Sequence, residues 1–162
     1  LKLDREPTAK EVWESIDDVK KYDEVVFCGF GEPTLRLDVI KEVAKKIKDN
    51  GGRVRLNTNG HGNVINKRNI LPELSGLIDE VSVSLNADTS EAYDEICQPL
   101  PKFRNGIYEK IKEFIEESKK HIPDVQASIV THQSGVNEAN CEEIVNKEFG
   151  VKYRARRYNI VG

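Results

Sequence analysis

The sequence has 162 residues, a length at which one domain, or part of one, is expected and two independent domains are not. Hydrophobic residues make up 38% of it and charged residues 33%, and its five Phe and five Tyr with many Val and Ile exclude a disordered chain. The formal net charge of -3 argues against a nucleic-acid partner, and no apolar run approaches the roughly 20 residues of a membrane span. These features favour a folded cytoplasmic protein with no membrane partner.

Taken in chain order, the first half of the sequence predicts two strands among helices. Thr8 and Glu11 form a capping box that opens a helix over residues 8–22, and the run EVVFC at residues 24–28 is typical of a buried strand. The next helix has an apolar face from Val39 to Ile47 and ends at Asn50. A strand over residues 53–57 and a short helix over residues 70–77 follow.

The second half continues the same alternation. It predicts a strand over residues 80–86, a helix that Asp88 caps and that ends near residue 97, a helix over 106–120, a strand over 125–131, a helix over 138–149 and a last strand over 151–158. Five strands separated by helices indicate a parallel α/β sheet, either a partial barrel or a doubly wound sheet.

Polar residues and glycines follow the predicted strands at the ends where ligands bind in parallel α/β folds. They are Gly29, Gly31, Glu32, Pro33 and Thr34 after the first strand, Asn57, Asn59 and His61 at the second, Ser84 and Asn86 at the third, and His132 after the fourth. Turns between strands and helices also favour Gly, Asn and Ser for capping alone. Three polar positions in LNTNG and a Glu behind a glycine turn nevertheless favour a binding site.

The first of these turns contains two glycines and a carboxylate. It does not fit a dinucleotide fingerprint, because Glu32 would place a negative charge where a pyrophosphate would lie. Backbone carbonyls in such a turn, together with one carboxylate, can accept hydrogen bonds from an ammonium group. The turn is therefore expected to hold the head group of an amino acid.

The segment GFGEPT at residues 29–34 resembles the GGEP motif of radical S-adenosylmethionine (SAM) enzymes. The wider runs VVFCGFGEPTLRLDVIKEV, VRLNTNGHGN and IDEVSVSLNA are similar to the TatD-linked radical SAM proteins, over about residues 8–159. The resemblance implies a (βα)6 barrel of the TIM type, SAM as the small-molecule partner, and an enzyme that uses a 4Fe-4S cluster to cleave SAM and abstract hydrogen from a substrate. The substrate itself is not indicated.

The resemblance also implies which residues contact SAM. The family motif holds the methionyl amino group, which assigns that role to Gly29, Gly31, Glu32, Pro33 and Thr34, with Phe30 in place of a glycine. Ser84 and Asn86 match positions that contact the ribose or carboxylate of SAM, and Asn57 and Asn59 lie where SAM or the substrate is approached.

One family feature has no counterpart in the sequence. The CxxxCxxC loop that binds the cluster is absent, and Cys28, Cys97 and Cys141 are far apart, so the chain is expected to bind SAM and not the cluster. The sequence also contains no Met and begins at Leu1. We therefore expect residues 1–162 to form one N-terminally truncated radical SAM core domain, a partial barrel that lacks its first strand and the cluster loop.

Three further residues are candidates for contacts with the substrate. His61 and His132 lie in turns after strands, where proton transfer and simple capping are both open interpretations. Arg154 and Arg156 are two residues apart on the last strand and therefore share one face of it. This fits either an exposed edge strand or a site for an anion, such as the SAM carboxylate or an acidic substrate.

Two other kinds of function stay open. One is a non-catalytic SAM-binding or scaffold module without a cluster, and the other is an α/β-barrel enzyme that acts on sugars or aldols without SAM. In either case the first predicted strand would have an unpaired edge, because the barrel strand before it is missing. We expect residues 1–6 or a second copy of the chain to cover that edge, so a dimer is possible.

Overall fold

In a computed structural model, residues 5–29, 31–104 and 106–157 are described. The strands are β1 Val25–Phe27, β2 Val54–Thr58, β3 Glu80–Ser84, β4 Asp124–Val130 and β5 Lys152–Arg156. The α-helices are α1 Ala9–Glu14, α2 Leu37–Asp49, α3 Gly62–Asn66, α4 Leu71–Leu74, α5 Ser90–Cys97, α6 Ile107–His121 and α7 Glu138–Glu143, which continues as a π-helix over Ile144–Phe149. Short 3-10 turns lie at Val19–Lys21, Pro33–Arg36 and Pro101–Phe103. The predicted alternation of strands and helices is confirmed.

The strands lie side by side in the order in which they occur along the chain. All four pairs, from β1 with β2 to β4 with β5, are parallel. A doubly wound sheet reverses its strand order at one point, and the described sheet has no such reversal. Successive right-handed crossovers in one direction put all the helices on one face, which is how part of a (βα) barrel is built. Of the two predicted architectures, the described sheet is consistent with the partial barrel and does not fit the doubly wound sheet.

The two faces of the sheet differ in polarity because side chains alternate along each strand. One face carries fully buried apolar residues, including Leu56, Val83 and Ala127. Helix α6 packs on this face: a Cβ added at Gly60 would lie 3.0 Å from Ile111 and 3.1 Å from Val83. The opposite face, here called the polar face, carries Arg55, Asn57, Ser82, Ser84, Gln126, Ser128, Arg154 and Arg156.

Two amphipathic helices supply most of the apolar layer. Helix α2 buries the predicted face from Val39 to Ile47 and ends at Asp49, with Asn50 as its C-cap, followed by Gly51 with a φ of +80°. Helix α6 buries Ile107, Ile111, Phe114 and Ile115, and Phe114 is among the largest side chains with no solvent exposure. This layer fixes the strands, and therefore the turns at their carboxyl ends.

The first helix is shorter than the sequence predicts. The capping box is confirmed, but α1 ends at Glu14 and not near residue 22. The Ser15 hydroxyl donates to the Val12 carbonyl at 2.7 Å, and Asp18 accepts from the backbone N–H of Lys20 to cap a 3-10 turn. Ser and Asp side chains compete with helical backbone hydrogen bonds in this way, so the apolar periodicity overestimated the length of the helix.

Other differences are local. Helix α5 is capped by Thr89 and not by Asp88, whose carboxylate instead accepts from Asn137 and Asn140. The helix predicted over residues 70–77 is shorter in the structure, where α4 spans Leu71–Leu74. Helix α3 was not predicted. The end of the predicted last strand, at residue 158, lies outside the described residues.

One edge of the sheet bears on the predicted dimer. Within the described residues β1 pairs with β2 only. Of the segment expected to cover the other edge, residues 1–4 lie outside the described part, while Glu6 forms an ion pair with Arg36 at 2.7 Å. Coverage of this edge by the N-terminal segment or by a second copy stays a prediction. No helix in the described part of the chain is long and apolar enough to cross a membrane.

Candidate functional site

The predicted site residues are brought together by the parallel sheet. The turn after β1, the turn after β2 and the residues at the end of β3 all lie at the carboxyl edge, which we call the rim. The strongest link across the rim is Glu32, which follows β1 and whose carboxylate reaches the end of β2.

Glu32 joins the first two turns through four hydrogen bonds. Its Oε1 accepts from the Thr34 hydroxyl at 2.6 Å, the Thr34 backbone N–H at 3.2 Å and the Thr58 hydroxyl at 2.7 Å. Its Oε2 accepts from the Asn59 backbone N–H at 2.8 Å. Glu32 is 9% exposed as a residue, so these hydrogen bonds replace most of the hydration of its carboxylate. Glu32 therefore fixes the position of one turn relative to the other.

Two threonines hold Glu32 in place. Thr34 was expected to contact SAM, but it has no solvent exposure and its hydroxyl is used by Glu32. A direct contact between the Thr34 side chain and a ligand is therefore not supported, because burial removes it from the surface. Thr58 was not among the predicted site residues, although it is one of the three polar positions in LNTNG. Its hydroxyl donates to Glu32 and accepts from the Gly60 backbone N–H at 3.0 Å.

The other residues of the first turn keep its backbone open. Gly31 has a φ of +103°, a conformation that favours glycine, and Pro33 begins the 3-10 turn Pro33–Arg36. A Cβ added at Gly29 or Gly31 would meet no atom within 4 Å. Gly29, Gly31, Glu32 and Pro33 line a cavity of about 330 Å³. A small ligand group can therefore approach the backbone of this turn.

Asn57, Ser84, Asn86 and Arg156 were all predicted to contact ligands. Ser84 and Arg156 lie on the polar face, and the Arg156 guanidinium donates to Ser84 Oγ at 3.3 Å and to Asn86 Oδ1 at 3.4 Å. Asn86 is a non-glycine residue with a φ of +60°, which costs free energy and is concentrated at binding sites. Asn57 Oδ1 is buried and accepts no hydrogen bond within the described residues.

The charge of Arg156 lacks a carboxylate partner among the described residues. Its two acceptors are neutral, and both distances are long. Partial burial lowers the pKa of Arg156, and the positive charge of Arg154 acts in the same direction. An anion bound beside Arg156 would oppose both effects, because it stabilises the positive charge of the guanidinium.

His61 and His132 lie in different environments. His61 is 8% exposed and its Nε2 is 3.0 Å from the Tyr93 hydroxyl, whereas the Asn59 side chain accepts from the His61 backbone N–H at 2.9 Å. Burial lowers the pKa of His61 below its ordinary value of 6.5, although the Glu32 carboxylate opposes the shift. His132 is exposed, with a φ of +63°. His61 is therefore buried in the turn after β2, whereas His132 is exposed after β4, and a contact of either residue with a substrate stays a prediction.

The burial of His61 predicts a dependence of stability on pH. Its lowered pKa means that the unfolded chain takes up the proton more readily, so the free energy of unfolding falls as pH decreases below about 6.5. One such group contributes at most about 1.4 kcal/mol per pH unit. Urea denaturation between about pH 7 and pH 5 should give a smaller slope for His61→Gln than for the original chain. An equal slope for both proteins would contradict the assignment.

The cysteines do not fit a 4Fe-4S cluster. Cys28 is exposed at the end of β1, Cys97 is half-buried in α5, and Cys141 is fully buried in α7. Burial raises the pKa of Cys97, and it raises the pKa of Cys141 to about 12, which disfavours the thiolate that binds iron. Within the described residues no group of three or more His, Cys, Asp or Glu side chains could hold a metal ion.

Comparison with known proteins agrees with this fold. The family model of the Radical SAM superfamily matches residues 1–147 of the 162-residue sequence. A solved structure of TYW1 with a lysine-pyruvate adduct bound is similar with a TM-score of 0.63 and 19% identity, over 86% of this chain and 43% of that chain. At this identity the likeness concerns the fold alone, and this chain spans less than half of that one. No curated protein matches the sequence. Because the family match covers most of the sequence and the parallel sheet fits part of its barrel, the chain belongs to the radical SAM superfamily.

Proposed function

We propose that this chain is the SAM-binding core of a radical SAM enzyme. The observation that carries the proposal is the position of Glu32, which belongs to the GGEP-like turn and links it to the end of β2. The proposal extends beyond family membership, because it assigns SAM to particular residues of the rim. The narrower likeness to the TatD-linked proteins stays a prediction, and the proposal names no substrate.

The turn after β1 is the proposed site for the amino group of SAM. Within the described residues Glu32 Oε2 accepts one hydrogen bond, from Asn59, and a carboxylate oxygen can accept a second. The open backbone at Gly29 and Gly31 adds carbonyl acceptors beside the same cavity. An ammonium group fits this set of acceptors, whereas a phosphate would be repelled by Glu32.

The polar face is the proposed site for the carboxylate of SAM, which is bonded to the same carbon atom as the amino group. Arg156, with two weak neutral contacts, fits the carboxylate. The unpaired Asn57 Oδ1 fits a hydrogen-bond donor, such as the ammonium or a ribose hydroxyl, because a buried acceptor without a partner is unfavourable. Ser84, on β3, lies between Asn57 on β2 and Arg156 on β5. SAM bound in a complete radical SAM enzyme supplies the hydrogen-abstracting chemistry that the family resemblance implies.

A non-catalytic SAM-binding module is the second candidate. It is favoured by the cysteines, which do not fit a cluster, so no step that needs a cluster is assigned to residues of this chain. The two candidates make the same prediction for SAM binding. They differ in whether the complete protein also contains iron, which iron analysis of the native protein would decide.

Calorimetric titration of the chain with SAM and with decarboxylated SAM tests the proposed assignment. We expect SAM to bind, and Arg156→Gln to weaken its binding by about tenfold to a hundredfold, because a hydrogen bond to a charged group contributes about 1.5–3 kcal/mol. The same substitution should leave the affinity for decarboxylated SAM unchanged. Glu73→Gln is the matched control, since Glu73 pairs with Lys41 and Arg68 and is not part of the rim.

Two results would contradict the proposal. One is the absence of binding heat with SAM at millimolar concentration. The other is stabilisation of the chain by a phosphorylated sugar and not by SAM, which would favour the SAM-independent α/β-barrel enzyme. If Arg156→Gln lowered the affinity for SAM and for decarboxylated SAM equally, only the assignment of the carboxylate to Arg156 would be wrong.

A further inference from the structure

A groove extends outward from the rim between α3 and the segment that contains α5 and the 3-10 turn Pro101–Phe103. It has a volume of about 1060 Å³, and its inner end is formed by Asn59 and Asn86. Its walls contain His61, Tyr93 and Phe103, none of which has a role in the contacts proposed for SAM. This volume is at the upper end of the range for small-molecule sites.

The walls of the groove are aromatic and apolar. The His61 ring lies 6.3 Å from the Tyr93 ring and 6.1 Å from the Phe103 ring, measured between centroids, with the planes tilted by 58° and 60°. Leu35 and Leu100, which are 62% and 60% exposed, also line the groove. Both are among the few large apolar side chains that the described part of the chain leaves in solvent. Such walls favour a flat apolar ligand.

The charges of the groove are all of one sign. Lys67 and Lys102 line it, no carboxylate does, and neither lysine forms an ion pair within the described residues. Lys102 Nζ lies 4.8 Å from the centre of the Phe103 ring, so a positive charge is held directly over an aromatic wall. A negative group on a flat ligand would be attracted to this position.

Hydrogen-bonding groups lie deeper in the groove. The Tyr93 hydroxyl forms a hydrogen bond with His61 Nε2 at 3.0 Å, and the Asn86 amide donates to Cys97 Sγ at 3.7 Å. A few polar groups among apolar walls are what fixes the orientation of a small molecule.

We propose that this groove is a binding site for a planar, anionic small molecule, separate from the SAM contacts of the rim. That this molecule would be the substrate of the enzyme rests on the proposed function, whereas its binding in the groove does not. The position beside Asn59 and Asn86 would place such a ligand next to SAM.

Titration with naphthalene-2-carboxylate, in the absence of SAM, tests this proposal by ligand-observed NMR. The cation 2-naphthylmethylammonium is the probe of similar shape and opposite charge. We expect the carboxylate to bind at least about tenfold more tightly than the cation, because two lysines face it without a competing carboxylate. Lys102→Glu should abolish this preference. Lys20→Glu, at an exposed lysine outside the groove, should leave it unchanged.

Leu100→Ala provides a second variant that is not expected to perturb the fold, since the side chain is 60% exposed. It should weaken both probes without changing the midpoint of urea denaturation. The proposal is overturned if the probes bind equally, if neither binds, if Lys102→Glu has no effect, or if SAM displaces the carboxylate by competition. Failure of SAM to bind in the calorimetric titration would leave these results standing, so the two proposals can fail separately.

Discussion

Replacing Glu32 with alanine is expected to lower the free energy of unfolding by about 3 kcal/mol or more. The substitution removes a buried carboxylate that accepts four hydrogen bonds, two of them from backbone N–H groups that are left without this acceptor. Hydrogen bonds to a charged group contribute about 1.5–3 kcal/mol each, and the total is smaller than their sum because the hydroxyls of Thr34 and Thr58 can find other partners. Urea denaturation measures the change.

Glu73→Ala is the control for this experiment. Glu73 also interacts with two cations, Lys41 and Arg68, but its side chain is 28% exposed, and such ion pairs contribute about 1 kcal/mol or less. We therefore expect a loss at Glu73 that is clearly smaller than the loss at Glu32. Equal effects at the two positions would mean that Glu32 does not link the turns in solution.

Replacing Phe114 with alanine is expected to destabilise the chain by about 3–5 kcal/mol. Phe114 lies on the buried face of α6 with no solvent exposure, and its ring lies against the backbone at Gly62, where an added Cβ would be 3.3 Å from it. The cavity left by the ring would therefore open beside the start of α3. Urea denaturation measures the loss, and Leu100→Ala at an exposed position should cost about 0.5 kcal/mol or less.

This substitution also tests how the core supports the site. Because Gly62 follows His61 directly, a cavity at Phe114 is expected to loosen the turn after β2. A loss of less than about 1 kcal/mol would contradict the position of Phe114 in the apolar layer.

The alternation of strands and helices could be predicted from the sequence because the signals are local. The strand β1 reads as a short apolar run, although its residues are only half-buried and not buried as predicted, and the face from Val39 to Ile47 repeats with the period of a helix. The end of α1 could not be predicted from periodicity, because Ser15 and Asp18 determine it through hydrogen bonds of their side chains. The sequence pattern could not decide between a partial barrel and a doubly wound sheet, because the two differ in the order of the strands within the sheet.

The candidate site was predictable only in part. The turn with Glu32 stands out because glycines flank a carboxylate. The partner of that carboxylate at Thr58 is 26 residues away, and no local pattern indicates it. Tyr93 and Phe103 resemble ordinary core residues in the sequence, and only the packing of α5 and of the 3-10 turn Pro101–Phe103 against the turn after β2 places them beside His61. Long-range contacts of this kind are what the sequence pattern lacks.

The most direct test of the SAM assignment is the amide NMR spectrum of the 15N-labelled chain during a titration with SAM. The account predicts that the largest shifts fall at the rim, in particular at Gly31, Asn59 and Asn86. The amides of Glu80 and Asp124, which lie at the opposite ends of β3 and β4, should not move. No shifts at millimolar SAM, or shifts confined to that opposite edge, would contradict it.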